Sequence, residues 1–301
     1  MNRKIKTLIA ALLSSVMIFG VTACGEVAVT TTTAATSSTS GTSKEDTAST
    51  TAAVKLNGDL TLTGSTSMAD VATALAEAFA KANPDVTVSV GGNGSGEGPT
   101  AVNDGTAQIG MLSRDLKDTE TPDAYDKYII GYDGISVIVN TASGVTALTS
   151  DQITKIFKGE ITNWKDVGGV DAKIQVIGRE AASGTRGAFE ELMGVKDVAV
   201  YAEEQNSTGN VKQSIASNPN AIGYVSLSSV DNTVVAVTLD GVTGSETTVK
   251  SGEYTLQRPF VMIAKKATTD TLTKAFLDFV FSDAGMQIVS DDGVVPNPGK
   301  S

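Results

Sequence analysis

The sequence predicts an α/β fold, preceded in the chain by an export signal and a polar tether. From Val54 onward, short β-branched apolar segments alternate with amphipathic helical segments, which is the pattern of an α/β fold. Several predicted strands end in polar, glycine-containing turns that lead into a helix, and no repeat of fixed period is present. The roughly 250 residues involved are enough for one large domain or two small ones.

The first 23 residues form a predicted signal peptide. Three basic side chains within the first six residues precede an apolar run that is too short to span a bilayer. The run ends in Val21-Thr22-Ala23-Cys24, which resembles a bacterial lipobox: an aliphatic residue, two small residues and then cysteine. This resemblance implies cleavage before Cys24 and lipidation of its sulfur, so that the secreted protein is anchored to the outer face of the cytoplasmic membrane. An ordinary signal peptide with an unmodified cysteine is the alternative.

Residues 24–53 are predicted to be a disordered tether that begins at the lipidated cysteine. Fifteen of the 28 residues at 26–53 are serine or threonine, and none is aromatic. A segment of this composition buries too little apolar surface to offset the conformational entropy lost on folding. We therefore expect the folded part to begin at residue 54.

The folded part can be assigned element by element from its patterns. Helix 68–82 is indicated by Val71, Leu75 and Phe79, which recur on one face, and by Asn83-Pro84, which ends it. Alternating or continuously apolar segments predict strands at 60–62, 86–90, 109–112, 135–140, 173–178, 221–225, 234–239 and 260–264. Helical periodicity predicts further helices at 100–104, 151–157, 185–193 and 271–290.

Two strongly apolar predicted strands, 135–140 and 260–264, are far apart in sequence and could be the two crossings between a pair of lobes. Under this hypothesis residues 54–135 and 262–301 form lobe 1, and residues 140–258 form lobe 2. A single α/β domain is the alternative.

The composition excludes several classes of protein. The chain has no histidine, so it cannot use a Ser-His-Asp triad, a Cys-His pair or an imidazole metal ligand. Its single cysteine cannot form an internal disulfide or a thiolate cluster. The net charge is −11, and removal of residues 1–23 takes away three basic side chains and no acidic ones, which leaves −14. Because the chain is acidic and only 5% aromatic, we expect no nucleic-acid partner.

Three polar turns that precede predicted helices are suited to an anion. They are Gly64-Ser65-Thr66-Ser67, the glycine-rich segment 92–98 and the segment 178–186 with its two arginines. A helix N-terminus presents unpaired N–H groups and the positive end of the helix dipole. Serine and threonine add hydroxyl donors, and arginine adds a charged, two-pronged donor. If the three turns converge, they would surround a tetrahedral oxyanion with donors.

Each turn also has a simpler interpretation. Ser-Thr-Ser before a helix is a common N-cap, segment 92–98 can be a flexible turn, and Arg179 can be an ion-pair partner of Glu180 or Glu190. Segment 92–98 is a poor dinucleotide fingerprint, because Pro99 and polar residues follow it, and it lacks the lysine of a P-loop. The three turns as a set therefore favour a small oxyanion over a nucleotide.

Several segments of the chain match one family. The most specific are Ile156-Phe157-Lys158-Gly159-Glu160-Ile161-Thr162-Asn163-Trp164 and the Arg-x-x-x-Ser-Gly-Thr pattern of residues 179–185. Shorter matching segments are residues 64–68, 94–96, 109–114, 221–224 and 279–296. Across residues 55–300 the chain thus resembles the phosphate-binding lipoproteins of Pst-type ABC importers. The resemblance implies the type II periplasmic-binding-protein fold, an α/β fold of two lobes with a hinge of two crossing strands and a ligand cleft between the lobes.

The resemblance also implies which residues bind phosphate. These are donors in the three turns, namely Thr66, Ser67, Ser95, Arg179, Ser183, Gly184 and Thr185. Further candidates beside them are Ser65, Arg114 and Arg186. The resemblance implies no catalytic residue, no metal and no cofactor.

One position departs from the pattern of the family. Some relatives carry an aspartate directly after the serine at the strand exit, where it accepts the proton of phosphate, but this chain has Arg114 there, followed by Asp115. We hypothesise that Asp133 provides this acceptor instead. A carboxylate facing the ligand favours phosphate, which carries a proton at neutral pH, over sulfate, which does not. The alternative is that Asp133 caps a turn.

The sequence therefore predicts a monomeric, lipid-anchored binding protein without enzymatic activity. It would capture inorganic phosphate and deliver it to the membrane permease subunits of an ABC importer. The same fold with sulfate, molybdate or tungstate as ligand is the nearest alternative. A phosphatase-like hydrolase and a surface adhesin or signalling module are alternatives from other classes. Trp164 is interpreted as a packing anchor, not as a ligand contact.

Overall fold

The computed structural model of the protein describes residues 55–299. The predicted signal peptide (1–23), the predicted lipidation site Cys24 and the predicted tether (24–53) lie outside the described residues. Within 55–299, none of the helices is both long enough and apolar enough to cross a membrane.

Residues 55–299 form twelve strands and eight α-helices, joined by loops and short 3-10 turns. The strands are β1 (Gly58–Gly64), β2 (Val86–Gly92), β3 (Ile109–Leu112), β4 (Tyr125–Val139), β5 (Ala147–Leu148), β6 (Gln175–Arg179), β7 (Glu203–Gln205), β8 (Ala221–Ser226), β9 (Val235–Ala236), β10 (Thr238–Leu239), β11 (Gln257–Lys265) and β12 (Val295–Pro296). The helices are α1 (Ala69–Ala82), α2 (Glu97–Asp104), α3 (Ser150–Phe157), α4 (Gly184–Leu192), α5 (Thr208–Ser217), α6 (Glu246–Ser251), α7 (Thr271–Val280) and α8 (Asp283–Asp291).

Ten of the described strands form one sheet. Their order is β2-β1-β3-β11-β4-β8-β6-β7, and β9 and β12 also pair with β4. β1 is parallel to β2 and β3, and β6 is parallel to β7 and β8. β11 and β4 lie between these two parallel sets and are antiparallel to each other and to their outer neighbours. The predicted α/β class is confirmed, with a parallel set on each side of a central antiparallel pair.

Strand β4 changes partners along its length. Residues 125–129 and 131–134 pair with β11, with a bulge at Ile130, whereas residues 135–139 pair with β8. The change falls at Gly134, one residue before the predicted strand 135–140 begins. One 15-residue strand therefore belongs to both halves of the sheet.

Buried apolar clusters lie on both faces of each half of the sheet. In the half that contains β1 and β3, helices α1, α7 and α8 cover one face, where Phe79 packs edge-on against Phe276, and α2 covers the other face through Val102. In the half that contains β6 and β8, α3 and α4 cover one face and α5 covers the other through Val211 and Ile215. Helices therefore shield the sheet on both sides, as is usual for parallel strands.

Trp164 is fully buried in the cluster under α3 and α4. Its indole Nε1 donates to the carbonyl oxygen of Asn220 at 3.1 Å. A buried tryptophan usually finds such a partner, because leaving the N–H unpaired would cost free energy. The contacts fit the predicted role of a packing anchor.

Several predicted elements have different bounds in the structure. The predicted helix 271–290 is two helices, because Ser282 starts α8 by accepting a hydrogen bond from the backbone N–H of Gly285. Helix α2 begins at Glu97, three residues before the predicted start, with Pro99 in its first turn, where an N–H is not needed. Strand β4 begins at Tyr125 and not at Ile135, and the predicted strand 234–239 is divided into β9 and β10. Helices α5 and α6 and the short strands β5, β7 and β12 were not predicted.

Candidate functional site

The first predicted turn lies at the C-terminal end of β1. Gly64 has a φ of +135°, and a Cβ atom there would lie 2.2 Å from the carbonyl oxygen of Met111, so only glycine fits. The N–H of Ser65 donates to the same carbonyl oxygen at 2.8 Å. The chain then makes a 3-10 turn over Thr66–Met68 and enters α1. These contacts fix Thr66 and Ser67 at the start of a helix.

The second turn is attached to the first. The backbone N–H groups of Asn93 and Gly94 both donate to the carbonyl oxygen of Gly64, at 2.9 and 2.8 Å. Ser95 follows, fully buried, and its Oγ accepts a hydrogen bond from the backbone N–H of Ser113 at 3.0 Å. The two hydroxyl oxygens are 3.3 Å apart. We call Ser95 and Ser113 the serine pair.

The third turn joins β6 to α4. Ser183 is the N-cap of α4, and its Oγ accepts a hydrogen bond from the backbone N–H of Arg186 at 3.2 Å. Gly184 and Thr185 are the first two residues of the helix, and both are buried. The carbonyl oxygen of Ala182 accepts a hydrogen bond from the N–H of Gly96 at 3.0 Å. The third turn is therefore in direct contact with the second.

Four hydroxyl groups from three helix starts meet at one point. Ser67 Oγ is 2.8 Å from Thr185 Oγ1 and 2.9 Å from Thr208 Oγ1, and Thr66 Oγ1 is 3.1 Å from Thr208 Oγ1. Thr208 is the first residue of α5, and its N–H also donates to Thr66 Oγ1. We call Thr66, Ser67, Thr185 and Thr208 the hydroxyl cluster. Its members come from positions up to 142 residues apart.

The start of α4 also touches the serine pair. A Cβ atom on Gly184 would lie 2.2 Å from Ser95 Oγ and 2.6 Å from Ser113 Oγ, so the backbone of Gly184 approaches these hydroxyls more closely than any side chain would allow. The hydroxyl cluster and the serine pair thus flank the first turn of α4. The convergence that would make the three turns an anion site is present in the structure.

Arg179 supplies the positive charge at this point. It is the last residue of β6, only 1% exposed, and its Nε and Nη2 each donate to a carboxylate oxygen of Glu180 at 2.8 Å. Its Nη1 donates to Thr208 Oγ1 at 3.2 Å. These bonds use three of the five guanidinium N–H groups, which leaves two for a ligand. Arg179 therefore pairs with Glu180, as the simpler interpretation expects, and it also reaches the hydroxyl cluster, while its contact with an anion stays a prediction.

The assembled groups are suited to holding an anion. Hydroxyls, backbone N–H groups at the starts of α1, α2, α4 and α5, and one guanidinium all offer hydrogen-bond donors, and each helix adds the positive end of its dipole. Among the described residues, no group of three or more cysteine, aspartate, glutamate or histidine side chains is arranged to hold a metal ion.

Comparison with known proteins identifies the family. A family model described as a PBP superfamily domain matches residues 29–284. The phosphate-binding protein PstS of Bacillus subtilis is 36% identical over 261 residues, which cover 84% of this chain and 85% of that protein. The chain belongs to the PstS family of phosphate-binding proteins. The phosphate-binding protein PstS of Pseudomonas aeruginosa is 31% identical and covers 81% of this chain and 85% of its own length.

Solved structures of the family share the fold. A crystal structure with bound phosphate, of a protein from Clostridium perfringens assigned as a phosphate ABC transporter substrate-binding protein, has a TM-score of 0.77 and 39% sequence identity. An ABC-type phosphate transport receptor from Vibrio cholerae has a TM-score of 0.67 and 36% identity. Each match covers 80% of this chain and 100% of the other. The predicted two-lobed, periplasmic-binding-protein-like fold class is thereby confirmed at the level of the PBP superfamily.

Arg114, a predicted site residue at the exit of β3, has its charge neutralised locally. Its Nη1 and Nη2 donate to the two carboxylate oxygens of Glu120 at 2.8 and 2.6 Å, and Nη1 also donates to the carbonyl oxygen of Asp115. Burial acts to raise the pKa of Glu120, but the bonds and charges of Arg114 and Lys117 together outweigh burial and lower it. The side chain of Arg114 also lies beside Gly187 of α4. Its charged group is therefore engaged outside the hydroxyl cluster.

Arg186 stabilises the third turn through hydrogen bonds to neighbouring protein groups. Its Nη1 donates to the carbonyl oxygen of Arg179 at 2.7 Å and to Glu204 at 2.8 Å, and its Nε donates to Glu190 at 2.8 Å. Its guanidinium also stacks over the ring of Tyr201, with Cζ 4.9 Å from the ring centroid. Arg186 thus holds the backbone of Arg179 in place, and the hydrogen bonds of Arg186 go to protein groups outside the hydroxyl cluster.

Asp133, the predicted acceptor of the phosphate proton, is fully buried in an ion pair. Its Oδ2 accepts from Nη2 and Nε of Arg258 at 2.9 and 3.2 Å, and its Oδ1 accepts from Ser226 Oγ at 2.7 Å. The two charged residues face each other across β4 and β11. Burial raises the pKa of the Asp133 carboxyl, against the opposing effect of Arg258. The role of Asp133 towards phosphate stays a prediction, because its hydrogen bonds here go to protein groups.

Ser65 is buried and acts through its backbone, since its carbonyl oxygen accepts from the N–H of Met68. Thr208 and Ser113 were not predicted from the sequence. Ser113 stands in a segment that matched the family, directly before Arg114, and this position could have indicated it. Thr208 follows Ser207 at the start of a helix that was not predicted, so its signal was a Ser-Thr-Gly turn in a segment without strong periodicity.

Proposed function

We propose that this protein binds inorganic phosphate outside the cytoplasmic membrane and delivers it to the permease subunits of an ABC importer. The observation that carries the proposal is the meeting of hydroxyls from the turn before α1 and from the starts of α4 and α5, one of which accepts a hydrogen bond from Arg179. Its relatives support this function, since they include a phosphate-binding protein and a substrate-binding component of phosphate transport. The work of such a protein is binding, and the proposal includes no catalytic step.

The proposed phosphate ligands keep the roles implied by the family resemblance. Thr66, Ser67 and Ser95 donate from the first two turns, and Arg179 donates from the end of β6 with its two remaining N–H groups. The N-terminus of α4 donates through Gly184 and Thr185. Because Ser183 Oγ already accepts from the N–H of Arg186, its hydroxyl hydrogen is free to point at the anion.

We infer that the ligand is held between two lobes, residues 54–135 with 262–301 and residues 140–258. The separate buried clusters in the two halves of the sheet and the change of partners at Gly134 support this division. Residues that contact each other across the site, such as Ser67 and Thr185, belong to different lobes. Opening and closing about β4 and β11 would admit and release phosphate.

We also infer that Cys24 carries a lipid that anchors the mature protein to the outer face of the cytoplasmic membrane. The sequence Val21-Thr22-Ala23-Cys24 after a basic and apolar leader supports this proposal. The mature chain would carry a charge of −14, so the acyl chains and not basic residues would hold it at the membrane. Mass spectrometry of the protein purified from membranes would detect the added acyl mass on a peptide that begins at Cys24.

The function is tested by isothermal titration of the full chain, purified in detergent, with phosphate, sulfate, molybdate and tungstate. We expect phosphate to bind most tightly. Tighter binding of another of these anions would identify that anion, and not phosphate, as the ligand. Absence of binding to all four anions would contradict the proposed function. Incubation with a chromogenic phosphate ester tests the hydrolase alternative, and turnover that a single substitution abolishes would make the protein an enzyme.

A further inference from the structure

We propose that Thr208 is a ligand-binding residue of this site, whose hydroxyl group donates a hydrogen bond to the bound phosphate. The proposal rests on the proposed function and adds a fourth helix, α5, to the three turns predicted from the sequence. Thr208 is only 4% exposed, so its hydroxyl must find partners inside the protein or on a ligand.

The hydroxyl of Thr208 is not needed to start its own helix. Ser207 is the N-cap of α5, and its Oγ accepts a hydrogen bond from the backbone N–H of Asn210 at 3.1 Å. Thr208 therefore stands one position inside the helix, with its hydroxyl available for other contacts.

The partners of this hydroxyl are three predicted phosphate ligands. Thr208 Oγ1 is 2.9 Å from Ser67 Oγ, 3.1 Å from Thr66 Oγ1 and 3.2 Å from Nη1 of Arg179. An anion oxygen that accepts from Ser67 and Arg179 would therefore be within reach of Thr208 as well.

The direction of the hydroxyl hydrogen follows from these partners. A guanidinium can only donate, so Thr208 Oγ1 must accept the bond from Arg179. Its own hydrogen then points away from Arg179, towards Thr66, Ser67 and any anion held there. Thr66 Oγ1 likewise accepts from the backbone N–H of Thr208 at 3.2 Å, which leaves its hydrogen free to point at the same anion. Arg179 and the start of α5 thus set both threonines as donors.

The test is calorimetric titration of the full chain and its variants with inorganic phosphate. Thr208→Val keeps the shape of the side chain and removes the hydroxyl, and we expect phosphate binding to weaken roughly 10- to 100-fold, as for loss of one hydrogen bond to a charged group. Thr208→Ser keeps the hydroxyl, and its affinity should stay within roughly threefold of the parent. The control is Thr273→Val at the start of α7, where an equally buried threonine bonds to Asp270; its phosphate affinity should not change.

Phosphate affinity of Thr208→Val equal to that of the parent would overturn the proposal. If Thr208→Val unfolds at the assay temperature, Thr208→Ala decides in its place: weakened binding supports the role, and parental binding overturns it. Failure of the proposed function gives a different result, because the parent protein itself would then bind no phosphate.

Discussion

Replacement of Gly184 by alanine tests whether the two sides of the site must approach as closely as the structure shows. The added Cβ would lie 2.2 Å from Ser95 Oγ, 2.6 Å from Ser113 Oγ and 2.8 Å from Ser95 Cβ. Non-bonded carbon contacts are comfortable at about 3.5–4.0 Å, so the start of α4 would have to retreat from the serine pair by about 1 Å. Both serines are fully buried, which limits their freedom to move aside.

A retreat of about 1 Å takes donors on one side of the anion beyond hydrogen-bond range. Loss of two bonds to a charged ligand, at about 1.5–3 kcal/mol each, amounts to about 3–6 kcal/mol. We therefore expect Gly184→Ala to bind phosphate roughly 100- to 20,000-fold more weakly than the parent. The measurement is calorimetric titration with phosphate, together with thermal unfolding to show that the variant is folded.

The same helix provides a matched control. A Cβ on Gly187, in the first turn of α4, would meet only Cδ of Arg114, at an ordinary 3.7 Å. We expect Gly187→Ala to bind phosphate like the parent and to gain up to about 1 kcal/mol in unfolding free energy, because alanine favours helix over glycine. Equal phosphate binding by Gly184→Ala and Gly187→Ala would refute the need for a close approach at Gly184.

Four further predictions concern three charged side chains and the net charge of the chain. Asp133→Asn leaves Arg258 as an unpaired buried charge, so urea unfolding should show a loss of about 3–5 kcal/mol. The phosphate-to-sulfate affinity ratio of this variant tests the predicted proton acceptor. A ratio smaller than that of the parent would support this role, and an unchanged ratio would show that Asp133 serves only in its ion pair with Arg258. Arg186→Gln removes the bond that holds the carbonyl oxygen of Arg179, and titration should show roughly tenfold weaker phosphate binding; parental affinity would show that this bond does not position Arg179. Burial and neighbouring carboxylates raise the pKa of Asp292 to about 6, above its value of about 3.9 in an unfolded chain, so its contribution makes the protein less stable as pH rises from about 4 to about 6. The unfolding free energy of Asp292→Asn should therefore exceed that of the parent at pH 7 by about 1 kcal/mol, after allowance for solvent screening, and should equal it near pH 4. A gain in stability at pH 4 would contradict the assignment. Finally, phosphate affinity should change less than about threefold between low and moderate salt, because short-range donors and not the net charge bind the anion; a steep loss of affinity would contradict this account.

Sequence patterns predicted those helices and strands that are determined by residues close to one another in the chain. Helix α1 has its apolar face in Val71, Leu75 and Phe79, and Asn83 ends it by donating its amide N–H to the helix carbonyl of Phe79. The division between α7 and α8 was missed because apolar residues keep helical spacing on both sides of Ser282, so periodicity alone does not show the break. The N-cap hydrogen bond of that serine decides the boundary.

The residues of the site also fall into those that the local sequence predicts and those that it does not. The turn at Gly64 was predictable because serine and threonine stand directly between a strand and a helix. Thr208 was not, because α5 has few apolar positions and the residues it contacts lie up to 142 positions away. Arg114 and Asp133 show a further limit: a charged residue at the right position in the sequence can be held by a partner such as Glu120 that only the fold brings near.

Strand β4 links the stability of the two halves of the protein. Nine of its first ten residues pair with β11 and its last five pair with β8, so unfolding of either half would leave part of this strand as an exposed, unpaired edge. Neither buried core can be lost without breaking hydrogen bonds of a strand that the other core also uses. Residues 55–299 should therefore melt in one cooperative transition, with the most slowly exchanging amide hydrogens along the middle of β4.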